Sequence, residues 1–174
     1  MTLEVRTVPA DIPEVDVLLD AYLDEREATF PSAQGAYSRK RTPAAEFTPP
    51  NGTFVVAYDD GLAVGCGGLR RIPDGRDETG AVDVRFEVKH VFVTPEGRGR
   101  GVATAVMDAL ETGAAELGAT AIVLDTNDSL VAAGAMYRSR GYERTAPFNE
   151  NPNATAWYRK ALGRTALGRT VPPA

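Results

Sequence analysis

Apolar and polar residues alternate from Leu3 to Val8, the period of a strand with one buried face. From Ile12 the period changes. Ile12, Val15, Leu18, Leu19, Tyr22 and Leu23 fall on one face of a helix. Asp11 is placed to cap that helix, with Glu14 three residues on and Pro13 in the first turn, where proline is tolerated. Residues 26 to 52 break the pattern. Pro31, Gly35, Pro43 and Pro49-Pro50-Asn51-Gly52 interrupt a charged stretch, which is expected to hold a second helix inside a long loop. Long insertions of this kind in compact domains are often functional. Thr53 to Tyr58 and Leu62 to Leu69 then flank Asp59-Asp60-Gly61, a hairpin signal. Arg71 to Ala81 reads as an exposed connection, and Val84 to Val93 is the longest strand-like run. Val102, Val106, Ala109, Leu110, Gly113 and Leu117 recur at helical spacing, with Gly118 as the stop. Thr120 to Leu124 reads as a short buried strand. Asp128 or Ser129 is placed to cap a helix ending at Gly141, and two strand candidates follow, Tyr142 to Phe148 and Thr155 to Leu162.

A meander that feeds one strand-loop-helix-strand unit predicts an α/β chain of the mixed, α+β kind, with helices on the faces of a mixed sheet. Residues 1–162 are expected to form a single domain and 163–174 a flexible tail. In that tail Ala161-Leu162-Gly163-Arg164-Thr165 recurs once, too few copies for a repeat architecture. The length of 174 residues suits one domain with a proper core. With 43% hydrophobic and 25% charged residues, the composition is that of an ordinary globular protein. A formal net charge of −5 argues against nonspecific nucleic-acid binding, which needs a basic footprint. The single cysteine, Cys66, allows no internal disulfide and no zinc-ligand set, so no metal is expected. It lies in an apolar strand without an activating histidine beside it and reads as a small buried hydrophobe. Nothing resembles a signal peptide or a membrane span. The expectation is a cytoplasmic monomer or homodimer.

The densest chemical signal is Val91-Phe92-Val93-Thr94-Pro95-Glu96-Gly97-Arg98-Gly99-Arg100-Gly101-Val102-Ala103. It runs from an apolar strand through a glycine-rich basic loop into a helix, whose first amides have no intrahelical partner and carry partial positive charge. Such a loop binds phosphate oxygens and points to a diphosphate-bearing cofactor. The spacing separates the options. A Walker loop requires Gly-Lys-Ser/Thr, which is absent. A dinucleotide fingerprint ends in Gly or Ala, whereas its last position here is Val102 or Thr104. A dinucleotide oxidoreductase is therefore a distant reading.

What fits is Arg98-x-x-Gly101-x-Ala103, which resembles the acetyl-coenzyme A signature of the GNAT family of N-acetyltransferases, Gln/Arg-x-x-Gly-x-Gly/Ala. Ala133-x-x-Met136-Tyr137-x-x-x-Gly141-Tyr142 is similar to that family's second signature, Ala-x-x-Leu-Tyr-x-x-x-Gly-Phe/Tyr. Phe148-Asn149-x-Asn151-Pro152 and Trp157-Tyr158-x-Lys160-x-Leu162 resemble the ends of a subset of bacterial members. The element order resembles the family fold from about Leu3 to Leu162, which implies a mostly antiparallel mixed sheet of about seven strands flanked by helices. One departure stands out. Leu130 occupies a position where many members carry an asparagine on the pantetheine arm; Asn127 is the nearby candidate to replace it.

The resemblance implies acetyl-CoA as cosubstrate and acetyl transfer to an amine. Loop amides from Arg98, Gly99, Arg100, Gly101, Val102 and Ala103 would hold the pyrophosphate, and the Val91, Phe92 and Val93 backbones would pair with the pantetheine. Backbone amides near His90 and Val91 would meet the thioester oxygen, which gains charge in the transition state. Tyr137 is the candidate acid for the leaving sulfur. An alkylammonium, with a pKa of about 10, must lose a proton before it attacks. Glu87 sits at the matching strand position as candidate base, acting directly or through water. His90, the single histidine, titrates naturally near neutrality. Strand alternation puts it on the face opposite Glu87 unless a bulge intervenes.

The acceptor is expected to be a small-molecule amine, walled by 26–50 and 148–157, with Glu25, Glu27, Glu46 and Glu87 as an acidic lining. The competing reading is a noncatalytic acyl-CoA sensor on the same fold, since fold does not fix function.

Overall fold

β1 (Leu3–Thr7), β2 (Gly52–Asp59), β3 (Leu62–Arg71) and β6 (Arg85–Val93) pair antiparallel in turn. Between β3 and β6 the chain makes a separate small hairpin, β4 (Gly75–Arg76) with β5 (Val82–Asp83). β6 then pairs parallel with β7 (Ala121–Thr126), after a crossover through α2 (Val102–Glu116). The far edge is antiparallel again: β7 pairs with β9 (Ala156–Ala161), and β9 with β8 (Glu143–Arg144). The result is one seven-stranded sheet in the order β1-β2-β3-β6-β7-β9-β8, matching the mostly antiparallel mixed sheet of about seven strands that the family resemblance implies. The computed structural model describes residues 2–163, so most of the expected tail lies outside the described residues. Among these, no helix is long and apolar enough to cross a membrane.

The two faces are covered by different helices. α1 (Pro13–Ala28) lays Val15, Leu18 and Leu19 against Phe54, Val56, Cys66 and Phe92. On the other face, α2 packs Val106, Met107 and Leu110 against Val55, Phe86 and Val88, and α3 (Val131–Ser139) adds Tyr137. Covering on both sides explains why β2 is buried at every position despite lying in an antiparallel pair. The hairpin signal is realised as a tight Asp60-Gly61 turn between Asp59 and Leu62.

Four local expectations are corrected. The 26–52 stretch holds no second α-helix. α1 runs to Ala28, and beyond it only the short 3₁₀ turns Ser32–Gln34 and Ala44–Phe47 form, because the prolines remove the amides a longer helix needs. Asp11 does not cap α1: Ile12 holds the N-cap position, no side chain bonds there, and Pro13 leads the first turn. Neither Asp128 nor Ser129 caps α3; Asn127 Oδ1 instead accepts from the Ser129 amide at 3.0 Å. The 142–148 strand shrinks to two residues, the rest becoming the loop into β9.

β3 owes its position to missing side chains. A Cβ on Gly67 would lie 2.9 Å from both Val106 and Leu110 of α2, and one on Gly68 would lie 2.4 Å from the Phe47 ring. Phe47 is itself buried, edge-on to Phe54. Gly68→Ala is expected to lower unfolding free energy by about 1–3 kcal/mol through overpacking, read from urea denaturation. Val17→Ala, on an exposed position of α1, is the control, expected to stay within about 0.5 kcal/mol.

Candidate active site

β6 and β7 are paired only along Arg85–Glu87 and Ala121–Val123; beyond those residues they part. Near the parting β6 carries a bulge. Gly65 faces Val93, Cys66 faces Phe92 and Gly68 faces Lys89, which leaves Gly67 opposite both His90 and Val91. His90 takes a left-handed φ of 54°, unusual outside glycine and strained for a histidine. The bulge also shifts the alternation. His90 now lies on the α1 face, edge-on to Tyr22 and Phe47, and Phe92 follows on that face, while Val91 and Val93 turn to the α2 side. The Cys66 thiol, fully buried beneath the bulge, lies 3.6 Å from the His90 carbonyl, and burial pushes its pKa up to about 12.

A cavity of about 1170 Å³ fills the parting, larger than drug-sized sites need and roomy enough for two reactants. Val91, Phe92 and Val93 line one wall; Arg98, Gly99, Gly101, Val102 and Ala103 line its mouth at the N-terminus of α2. Gly99 and Gly101 adopt left-handed φ values of 72° and 79°, and open space lies where a side chain would start. Gly97 serves packing instead, since a Cβ there would meet Val64 at 2.9 Å. The two arginine side chains are tethered away from the loop amides. Arg98 pairs with Glu25 of α1, and Arg100 reaches the buried Asp59 at 2.6 Å and leaves the cavity lining.

Tyr137 faces the cavity from α3, and among the described residues its hydroxyl has no hydrogen-bond partner. Burial raises its pKa to about 12, so it is a protonated donor at neutral pH. Glu87 is 1% exposed and lies just behind the lining. It pairs with Arg70 at 2.7 Å and Lys89 at 3.2 Å. Lys89 also approaches Asp125 at 3.5 Å, and Asn149 joins the two carboxylates, donating to Asp125 at 2.6 Å and Glu87 at 3.3 Å. Asn151 donates to Asp125 at 2.9 Å, and the Trp157 indole donates to Asn149 at 2.9 Å. The Asn149-x-Asn151 pattern was visible in sequence, but its link to Asp125 and Lys89 arises only from tertiary contact.

The 32–43 segment roofs the cavity. The Ser38 amide donates to Asn153 Oδ1, and Asn153 Nδ2 donates back to the Ser38 carbonyl, both at 2.8 Å. Asn127, 2% exposed, fastens a second point: its amide nitrogen donates to Gln34 Oε1 at 2.7 Å and to the Asn153 carbonyl at 2.9 Å. Both amide hydrogens are thus taken by protein acceptors, which leaves Asn127 only its carbonyl oxygen and backbone to offer a ligand. The acidic lining expected for the acceptor side is neutralised. Glu25 pairs with Arg98, Glu46 and Glu87 with Arg70, and Glu27 points outward to Arg39. Tyr22 and Tyr37 both line this side, and burial raises both phenols.

His90 corrects a further expectation. Burial, aided by the charges of Lys89, Arg70 and Arg41, lowers its pKa from 6.5 to about 3. Its Nε2 lies 3.3 Å from the Thr42 amide that donates to it, and its Nδ1 is buried without a partner among the described residues. The ring is therefore neutral in the physiological range. The unfolded histidine takes its proton near pH 6.5 and the folded one only near 3, so between these values the unfolded state binds more protons. Stability is fully present above the upper value and falls as pH drops through the window. Asparagine tolerates left-handed backbone, so His90→Asn is expected to flatten the slope between pH 6.5 and 4 by up to about 1.4 kcal/mol per pH unit, measured by urea unfolding across pH.

The chain and its fold resemble known proteins. A model of the acetyltransferase (GNAT) family matches residues 16–142. An uncharacterised N-acetyltransferase of Schizosaccharomyces pombe is 30% identical over 148 residues, covering 83% of this chain and 84% of that protein. A GNAT-family acetyltransferase structure from Staphylococcus aureus superposes with a TM-score of 0.68 at 18% identity, covering 93% of this chain and 100% of that one. A Salmonella typhimurium protein described as an acetyltransferase, solved with its cofactor acetyl-CoA, superposes with a TM-score of 0.63 at 12% identity, covering 98% and 100%. The loop, the parted strands and the tyrosine of α3 thus lie within the matched region, and the chain belongs to the acetyltransferase (GNAT) family.

Proposed function

We propose that this protein transfers the acetyl group of acetyl-CoA to a primary amine of a small molecule, by direct attack in a ternary complex. The observation that carries the reading is the parting of β6 from β7 beside a helix N-terminus. Strands that stop pairing leave backbone groups for a pantetheine arm, here along Val91, Phe92 and Val93, and the first amides of α2 and its loop receive a pyrophosphate. The structural likeness to a protein solved with acetyl-CoA supports the same cofactor. A small acceptor is favoured because the 32–43 roof is held at Ser38 and Asn153, which suits a compartment better than a groove for an extended chain.

In this reading the bulge at His90 and Val91 turns an amide toward the thioester oxygen, where a fixed donor acts on the developing charge. The amine attacks the carbonyl carbon, the C–S bond breaks, and the sulfur leaves beside Tyr137. Glu87 receives the amine's proton through water, since its carboxylate sits behind Arg70 and Lys89 rather than at the cavity surface. Asn127 borders the cofactor through its carbonyl oxygen and backbone. A phenol held near 12 is a strong hydrogen-bond donor to a thiolate but an uphill proton donor to it, because thiols titrate at about 8.5. The Tyr137 contribution therefore falls toward the low end of general-acid effects.

Incubation with acetyl-CoA and a panel of amines is expected to release free thiol; absence of any calorimetric signal with millimolar acetyl-CoA would defeat the proposal. Tyr137→Phe is expected to lower kcat about 100-fold with acetyl-CoA affinity unchanged. Undiminished turnover would leave Tyr137 a packing residue. Gly101→Val forces a β-branched side chain into left-handed backbone and is expected to weaken acetyl-CoA binding by roughly tenfold or more. A dissociation constant within about twofold of the parent would exclude the loop as the pyrophosphate site.

A further inference from the structure

Among the described residues buried charge is paired, with one exception. Asp59, Asp83 and Glu87 are each nearly inaccessible, and each meets an arginine: Arg100 at 2.6 Å, Arg159 at 2.7 Å and Arg70 at 2.7 Å. Arg26, 9% exposed in the last turn of α1, meets no carboxylate and no hydrogen-bond acceptor among the described residues. The neighbouring acids are engaged elsewhere, Glu25 by Arg98 and Asp24 and Glu27 by Arg39. The end of a helix does favour a cation there, but that explains an arginine in water at the surface, not one buried without a counterion.

Its location narrows what could neutralise it. Arg26 lines the cavity, and its charge acts on the hydroxyls of Tyr22, Tyr37 and Tyr137. The other basic side chains of the lining differ. Arg70, Lys89 and Arg98 already hold carboxylates, and Lys40 lies exposed at the rim. The cofactor's phosphates belong at the α2 loop, and the part that reaches Tyr137 is the uncharged pantetheine and thioester. The missing anion is therefore left to the second reactant.

We propose that Arg26 receives a carboxylate of the acceptor, so that the substrate is a small amine which also carries a carboxylate, such as an amino acid. The inference rests on the acetyl-transfer reading above and specifies its acceptor. A guanidinium takes a carboxylate through two parallel hydrogen bonds, which fixes orientation as well as charge. With the carboxylate on Arg26, the amine points toward the thioester beside Tyr137. The ammonium of the acceptor loses two protons in all, one before attack and one as the amide N–C bond forms. The C–S bond breaks, the sulfur keeps one proton as free coenzyme A, and one proton is released to solvent.

The test uses matched pairs: L-methionine with 3-methylthiopropylamine, L-phenylalanine with phenethylamine, and each further L-amino acid with its decarboxylated amine. Two quantities are read, kcat/KM from thiol release and affinity for the protein mixed with coenzyme A, by calorimetry. The carboxylate member of at least one pair is expected to be preferred by tenfold or more, following the strength of charge-assisted hydrogen bonds. Arg26→Gln is expected to collapse that preference about 10- to 100-fold, with Arg26→Lys retaining part of it and acetyl-CoA affinity unchanged. Equal loss for both members of a pair, a preference for the decarboxylated amine, or weakened acetyl-CoA binding in Arg26→Gln would overturn the assignment. Calorimetry decides the matter without turnover. Selective loss of amino-acid affinity in Arg26→Gln supports the site even if no thiol is released, an outcome that would defeat only the transferase reading. Amino-acid affinity equal in the parent and in Arg26→Gln overturns the site whatever the rate.

Discussion

β6 pairs with β7 over only three residues before the two strands part, and that break organises the molecule. Strand pairing is the means by which buried backbone is satisfied, so two neighbouring strands can separate in the interior only where something else meets their polar groups. Here the break is held open from both sides. The bulge at His90 and Val91 bends β6, the crossover through α2 fixes the origin of β7, and the glycines of β3 let α2 and Phe47 press directly on the sheet. The bulge holds His90 in strained left-handed backbone, and the coincidence of these features makes a cavity in the middle of a sheet rather than at its edge.

Around that cavity the polar groups form an almost closed circuit. Arg70, Glu87, Lys89 and Asp125 are linked in turn, Asn149 and Asn151 both donate to Asp125, and the Trp157 indole donates to Asn149. A fully satisfied network of this kind is rigid and discriminating, whereas a half-satisfied one is expensive. Its charges cancel internally, so the acidic residues that look free in sequence exert little outward field. His90 stays neutral beside this circuit because it is desolvated and its neighbours are cationic.

Much of this was legible in the chain itself. The period change at Ile12, the helical spacing from Val102 and the Asp60-Gly61 turn are local signals, and local signals survive folding. The loop from Arg98 to Ala103 was legible because glycine spacing before a helix has few other uses. The long 26–52 stretch was misread because charged residues around prolines support either a helix or turns, and the roof contacts through Gln34 and Ser38 decide in favour of turns. The acidic lining failed because counting glutamates ignores the arginines that reach them from distant parts of the chain, Arg98 from the glycine loop, Arg39 from the roof segment and Arg70 from β3. Asn127 was found by its position, yet its donors close the roof. Arg26 gave no sign, since an arginine at a helix end ordinarily lies in water.

The cysteine beneath the bulge has a consequence for how this molecule can be watched. It is the chain's single thiol, it is inaccessible, and burial holds it far toward the unreactive protonated form. Disulfide reagents therefore find nothing to titrate while the sheet is intact. Labelling of Cys66 requires β3 and α1 to come apart, so the labelling rate counts how often the centre of the sheet opens, a clock for local unfolding that needs no engineered probe.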